Sequence, residues 1–303
     1  VSDLEPADIR LAICMPLYNG TLTEATFHGI LQTQLWCVRL GIGLSIYPIR
    51  STLVPRARNE LVQLALNDEE FNATHILFID SDIGFSYKNV DRLLGANKDI
   101  VAGAYGKKKM DWKKIIAEVR ANPDIDEKTL RARTLEYTLT VDDPQNPVLK
   151  NGLLKVNEAG TGLMLIKRAV FEKIRQHFPD RQYTDSPTIL DDPLTGEETK
   201  SPCTNNYDFF GLGTSCPGHE DRYLGEDFYF CRLWERCGGE IWVDVVEGLS
   251  HHSPSVEFRG NFACMIRSKP KPEMPKRFPI GITEHKEWEK KCKRILGKDE
   301  DQH

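Results

Sequence analysis

The sequence predicts an α/β protein: a mostly parallel sheet flanked by helices, followed by a C-terminal helical extension. Two observations carry this. Short apolar runs alternate with segments of helical spacing through the first hundred residues, the β-α-β order that calls for parallel strands. The runs are also continuously apolar, as expected of strands covered on both faces.

Ile9 to Cys14 reads as the first strand, ending at a loop Met15-Pro16-Leu17-Tyr18-Asn19-Gly20 that Pro and Gly punctuate. From about Thr23 to Leu40, Ile30, Leu31, Leu35 and Val38 recur at helical spacing. Ile42 to Ile49 is a second strand, and Pro55 suits the first turn of a helix reaching Asn67. A strand from His75 to Ile79, a helix from Tyr87 to Leu94 and a strand from Asp99 to Gly103 continue the alternation. Beyond Gly106 the rhythm changes. Thr134 to Val141 and Leu153 to Val156 read as strands, Gly160-Thr161-Gly162 leads into a strand from Leu163 to Ile166, and a helix follows from Arg168 to His177. The stretch from Pro179 to Arg222, rich in Pro, Gly, Asp and Asn, reads as a long active-site loop or lid. A helix opening near Gly225, a strand from Glu240 to Val245 and the doublet His251-His252 complete a first domain over residues 1–265. Residues 266–303 carry a Pro-rich linker and one charged helix, from about Thr283 to Leu296.

Composition narrows the function. Hydrophobic residues at 40% and charged residues at 28% of 303 are ordinary globular values. No apolar run approaches the roughly 18 residues of a membrane span, so a soluble protein is expected. The net charge of -5 argues against general nucleic-acid binding, although Lys107-Lys108-Lys109 could meet a phosphate. The start of the chain, Val1-Ser2-Asp3-Leu4-Glu5-Pro6, is acidic and does not read as a signal peptide. Eight scattered cysteines without a Cys-x-x-Cys pair fit a reduced, cytoplasmic setting. Cys14, Cys37, Cys231 and Cys264 read as buried side chains, whereas Cys203, Cys216 and His219 could form a clip in the loop region.

The chemistry concentrates in His75-Ile76-Leu77-Phe78-Ile79-Asp80-Ser81-Asp82, an apolar run that stops on two carboxylates. In an extended backbone residues i and i+2 share a face, so Asp80 and Asp82 could hold one hard cation, Mg²⁺ or Mn²⁺, beside a phosphate. The structural alternative is an Asp-rich turn in which Asp82 or Ser86 caps the next helix. Arg56-Ala57-Arg58-Asn59 places two guanidinium groups and an amide near a helix N-terminus, a phosphate or base clamp unless they are solvated surface. Glu226 and Asp227 open an aromatic-rich helix whose dipole would keep a carboxylate ionised, ready to accept a proton from a hydroxyl. His251 or His252 could complete the coordination of the cation. Trp112 suits either a sugar-stacking platform or core packing.

The order Pro16-x-Tyr18-Asn19, Ala57-Arg58-Asn59, Phe78-Ile79-Asp80-Ser81-Asp82-Ile83-Gly84-Phe85, Gly160-Thr161-Gly162-Leu163-Met164-Leu165-Ile166, Glu226-Asp227 and the late histidines resembles nucleotide-sugar glycosyltransferases of the GT-A fold. The likeness is to family-2-like members encoded by bacteriophages and large algal viruses, over residues 9–262. It implies a Rossmann-like domain whose Asp80-Ser81-Asp82 segment meets the donor diphosphate and binds Mn²⁺ or Mg²⁺. It further implies a metal ligand at His251 or His252, with His251 the slight preference, and base and ribose contacts at Pro16, Leu17, Tyr18 and Asn19. Arg56, Arg58 and Asn59 would lie nearby. In inverting members the second acidic residue of the pair is the general base, here Asp227, with Glu226 supporting the acceptor. The expected partners are a nucleotide sugar, with UDP as the nucleotide, and a glycan acceptor reaching Trp112; no oligomeric state is implied. A retaining enzyme would not need the base. A non-catalytic nucleotide-sugar or glycan binder is one rival. A metal-dependent nucleotidyltransferase or phosphohydrolase is another, although the chain has no glycine-rich P-loop.

Overall fold

The computed structural model describes residues 5–184, 189–191, 198–200, 206–214, 216, 218, 221–253, 256–260 and 262. Cys203, His219, Cys264 and the expected linker and helix of residues 266–303 lie outside the described residues. The elements in chain order begin with β1 (Arg10–Leu17), α1 (Glu24–Leu40), β2 (Gly43–Arg50), α2 (Val54–Asn67), β3 (His75–Ile79), β4 (Ile83–Gly84), α3 (Tyr87–Gly95) and β5 (Ile100–Gly103). Next come α4 (Trp112–Ala121), α5 (Glu127–Thr134), β6 (Leu139–Thr140), β7 (Leu149–Lys150), β8 (Leu153–Val156), β9 (Glu158–Ala159), β10 (Leu163–Lys167) and α6 (Arg168–His177). After them stand β11 (Gln182–Tyr183), β12 (Ile189–Asp191), β13 (Glu198–Lys200), β14 (Asn206–Tyr207), α7 (Glu226–Arg236), β15 (Ile241–Asp244), β16 (Leu249–His252) and β17 (Glu257–Gly260).

Eight strands form the central sheet in the order β2-β1-β3-β10-β5-β15-β8-β7, and all except β10 and β8 run in one direction. Alternation along each strand supplies both cores. Ala12, Cys14, Ile76, Phe78, Ile100, Ala102, Ile241 and Val243 face α2, α6 and α7. Leu11, Ile13, Leu77, Ile79, Val101 and Trp242 face α1 and α3. Cys14, Cys37 and Cys231 are fully buried, and burial pushes the Cys37 thiol up to about 12. No helix among the described residues is long and apolar enough to cross a membrane.

Three expectations change, and helix α4 is added. β1 continues through Pro16 and Leu17, which pair with Ile49 and Arg50, because a parallel neighbour as long as β2 keeps the strand going past its proline. Thr134 ends helix α5 instead of opening a strand, and the strand Thr134 to Val141 shrinks to Leu139–Thr140. Helix α4 was not expected, although Trp112, Ile115, Ile116 and Val119 recur at helical spacing, and none of its residues is buried. His251 and His252 lie within β16 rather than after a strand.

The small sheet β17-β16-β4 stands beside the carboxyl edge of the main sheet. β4 follows the Asp80–Asp82 segment immediately, and its pairing of Ile83 with His251 brings the late histidines back to that segment. Gly84 is required there, since a Cβ would meet Ser250 Oγ at 2.3 Å and the Ala25 Cβ of α1 at 2.9 Å.

The same edge is fixed by a buried ion pair. Arg92 on α3 donates from Nε (2.8 Å) and Nη2 (2.5 Å) to the two oxygens of Asp244 at the end of β15. Arg92→Met should destabilise the fold by about 3–5 kcal/mol because it leaves the Asp244 charge buried alone. Adding Asp244→Asn should recover much of that loss in urea denaturation; additive losses would show that the two side chains are not coupled.

Candidate active site

The carboxyl edge collects ends of several strands. The register Cys14↔Phe78 puts Pro16 level with Asp80, and the amide of Asp80 donates to the carbonyl of Gly162 at 2.9 Å. Pro16 is buried in β1, Leu17 is half-buried, and Tyr18 and Asn19 are exposed beyond it. Tyr18, Asn19 and the carboxylates therefore border one edge, as in α/β sheets that bind ligands outside the carboxyl ends of their strands.

Asp80 and Asp82 do not share a direction. β3 ends at Ile79, and residues 80–83 form a turn closed by the Ile83 amide on the Asp80 carbonyl at 3.2 Å. The i, i+2 rule for extended chains thus stops one residue too early to apply. Asp80 turns to Arg58, whose Nη2 donates to Oδ1 at 2.8 Å. Asp82 turns to Lys108, whose ammonium donates to Oδ2, and to His251, whose Nε2 lies 3.4 Å from Oδ1. Burial works against the charge of Asp82, yet the bonds to His251 and Lys108 hold its carboxyl below the usual range. Ser86, not Asp82, sits at the N-cap of α3, its amide bonded to Asn89 Oδ1 at 2.9 Å.

The turn is held from outside by α1. Thr23 N donates to the Ser81 carbonyl at 2.8 Å, and the buried Thr26 hydroxyl lies 3.1 Å from the Ser81 carbonyl and 2.9 Å from that of Ile83. Sequence reading missed Thr26. Its signal is the Thr23-x-x-Thr26 spacing, in which the capping hydroxyl of Thr23 accepts from the Thr26 amide.

The two histidines separate because adjacent strand residues face opposite ways. His251 sets Nδ1 2.9 Å from the Gly106 carbonyl and lies edge-on to Tyr105, which leaves Nε2 directed at Asp82. A ring nitrogen anchored on a backbone carbonyl fixes the tautomer that a metal ligand needs. His252 instead puts Nε2 2.8 Å from Ser250 Oγ, and its amide donates to the Asp82 carbonyl. Tyr105 is buried against Gly160 and Gly162, where a Cβ would meet its ring or hydroxyl at 2.1 and 2.8 Å.

At the same edge, Gly225 caps α7, and Glu226 and Asp227 occupy its first turn. Arg58, 2% exposed, reaches Glu226 through Nε at 3.6 Å while bonded to Asp80. Burial opposes the charge of Arg58, and Asp80 and Glu226 restore it above the ordinary value. Asp227 does not behave as the helix dipole alone predicts. Its burial, then the neighbouring Glu226, push its carboxyl up to about 7 against the pull of Arg58 and the Phe228 amide at 2.8 Å. A second unforeseen residue positions the helix. Glu158, fully buried, receives Arg232 of α7 at 2.9 Å and Arg222 at 2.6 Å.

The remaining expected residues stand elsewhere. Arg56 is exposed and pairs with Glu60, and Asn59 is committed to the amides of Phe209 and Phe210 at 3.0 and 2.9 Å, because the loop after β14 folds over α2. Of the basic run, Lys107 pairs with Glu136. Trp112 is 64% exposed at the start of α4, which removes the core-packing alternative. A cavity of about 790 Å³ lies behind Gly84 and Ser250, but none of Asp80, Asp82 and Asp227 lines it.

Among the described residues no group of three or more His, Cys, Asp and Glu side chains is gathered to hold a metal ion. Asp82 and His251 offer one oxygen and one nitrogen facing each other, a partial donor set that a phosphate ligand could complete.

No family model matches the sequence, and no curated protein matches it. Similar solved structures include A197 from STIV, at 16% identity and a TM-score of 0.40 over 84% of this chain and 95% of that one. A glycosyltransferase involved in the glycosylation of the major capsid of PBCV-1 is similar at 12% identity and a TM-score of 0.23, over 56% of this chain and 66% of that one. The nucleoside-diphosphate-sugar pyrophosphorylase from Vibrio cholerae RC9 is similar at 9% identity and a TM-score of 0.31, over 77% and 90%. Likeness at these levels does not identify an activity.

The opposed orientations of the two imidazoles give a direct test in Mn²⁺ titrations with UDP present. His251→Ala and Asp82→Asn should each weaken Mn²⁺ binding by at least the about 10–100-fold typical of losing a ligand's support. His252→Ala should stay close to the parent protein. Equal small effects from both histidines would mean that neither holds the cation.

Proposed function

We propose that the protein is a metal-dependent glycosyltransferase that moves a sugar from a nucleoside diphosphate, UDP in the first instance, to a hydroxyl of a glycan acceptor with inversion. The observation that carries this reading is the pairing, at one sheet edge, of the Asp82–His251 donor set with a half-buried Asp227 whose carboxyl is pushed up to about 7. One half suits a diphosphate leaving group and the other suits a hydroxyl nucleophile. The donor set fits Mn²⁺ or Mg²⁺, which would supply charge neutralisation on the departing diphosphate.

The chain's own residues do the rest. Tyr18 and Asn19, exposed beyond β1, border the edge where a base and ribose would lie. Lys108, already beside Asp82, is placed to reach the same phosphates as a mobile point charge. Arg58 holds Asp80 and Glu226 in place from beneath, and its buried Nη1 has no hydrogen-bond partner among the described residues. Asp227 accepts the proton of the acceptor hydroxyl as its oxygen attacks the anomeric carbon, and a base with a pKa near the operating pH is suited to that transfer. Glu226 raises the basicity of Asp227 by like-charge repulsion. Trp112, exposed four residues after Lys108, is available to stack an acceptor sugar.

Release of nucleotide from a panel of nucleotide sugars, with and without Mn²⁺ and acceptor, tests the reading. Asp227→Asn should bind UDP and Mn²⁺ normally while transfer falls by about 10²–10⁴-fold. Near-normal transfer by that variant would defeat the assignment.

The pH dependence follows from the sign of the shift. Asp227 must be unprotonated to act, so kcat/KM should rise with pH through about 7. Glu226→Gln removes one of the raising influences, so the rising limb should move to lower pH. A limb that stays in place in Glu226→Gln, or that survives in Asp227→Asn, would show that another group titrates.

A further inference from the structure

Helix α1 presents two apolar faces, and one of them is uncovered. Thr26, Gly29, Ile30, Thr33, Trp36 and Cys37 are buried against the rest of the protein, as the fold requires. Phe27, Leu31, Leu35 and Val38 form a second stripe and are 49%, 40%, 61% and 74% exposed. At 3.6 residues per turn these four fall within an arc of about 80° along about 16 Å of helix. They expose on the order of 400 Å² of apolar surface, the scale at which patches mark interaction sites. Ile46 of the edge strand β2 is 38% exposed and shares a sheet face with Leu44, which packs against the core beneath α1, so it adds to the same side of the molecule.

The stripe reads the same from either end. Phe27 and Val38 close it, Leu31 and Leu35 form its centre, and the polar residues beside it, His28, Gln32 and Gln34, carry no fixed charge. The charged residues of α1 are Glu24 in its first turn and Arg39 in its last. Two such helices packed antiparallel about an axis near Gln32 and Thr33 place Phe27 against Val38 of the second copy and Leu31 against Leu35 of the second copy. The same operation brings Glu24 of each copy toward Arg39 of the other. Parallel packing would set like charges together at both ends. A two-fold interface needs this self-complementarity and a foreign partner does not.

We propose that this face of α1 is the interface of a homodimer, with a second copy of the chain packed antiparallel across Phe27, Leu31, Leu35 and Val38. The stripe accounts for about half of the roughly 800 Å² that each partner buries in a stable interface. His28, Gln32, Gln34 and Ile46 supply the polar rim and flank. The proposal is independent of the catalytic reading, although the dimer would also brace the helix whose Thr23 and Thr26 hold the Asp80–Asp82 turn.

Analytical ultracentrifugation of the full chain across the micromolar range tests it. The parent protein should sediment as a dimer, and Leu35→Glu should raise the dissociation constant by at least about 30-fold, the scale of losing an interface hot spot. Leu35 is 61% exposed, so the circular dichroism spectrum of the variant should be unchanged. Glu24→Arg and Arg39→Glu should each weaken the dimer, and the two together should restore it. A monomeric parent protein, or a Leu35→Glu variant that remains dimeric, would overturn the proposal. Single charge variants that weaken association without recovery in the double variant would overturn the antiparallel arrangement.

Discussion

The buried guanidinium of Arg58 is the contact on which the geometry of the site depends. It lies on α2, bonds Asp80 at the end of β3 and faces Glu226 at the start of α7, so two consecutive elements and a distant third meet on one side chain. A guanidinium that is 2% exposed is tolerated only because two carboxylates surround it. The consequence reaches beyond these partners. With Asp80 committed to Arg58, the turn that follows presents Asp82 to His251 and Lys108, and with Glu226 held the adjacent Asp227 has burial and a like charge acting on it.

That division of labour explains how four carboxylates coexist at one edge. Asp80 is paired with Arg58, and His251 and Lys108 hold Asp82 below the usual range, whereas Asp227 is crowded by burial and Glu226 and shifts upward. Neighbouring acids whose environments push them apart are what acid–base chemistry at neutral pH requires. Support for the arrangement comes from neighbouring elements: Thr23 and Thr26 on the carbonyls of the turn, Tyr105 against the glycines before β10, and Glu158 anchoring α7 through Arg232.

Much of the fold was legible because the signals are local. Continuous apolar runs mark β1, β3, β5, β10 and β15, and helical spacing marks α1 and α6. Strand direction was not legible at β10, since an apolar run reads the same whether it lies parallel or antiparallel between β3 and β5. Within the site, the residues Asp80, Asp82, His251, Glu226, Asp227 and Arg58 could be named from the sequence, but not their pairings. The divergence of Asp80 and Asp82 depends on β3 stopping at Ile79. The choice between His251 and His252 depends on the pairing of β16 with β4, a contact between residues more than 160 positions apart. Asn59 looked like a free amide and proved to be the anchor of a loop whose backbone needed its oxygen.

Stereochemistry at the transferred sugar tests the central claim most directly. If Asp227 activates the acceptor on the face opposite the departing diphosphate, the transfer is a single displacement. Proton NMR of the anomeric centre during turnover of a UDP-sugar should then show a product whose configuration is inverted relative to the donor. A product that retains the donor configuration would contradict the assignment of Asp227 and the mechanism built on it.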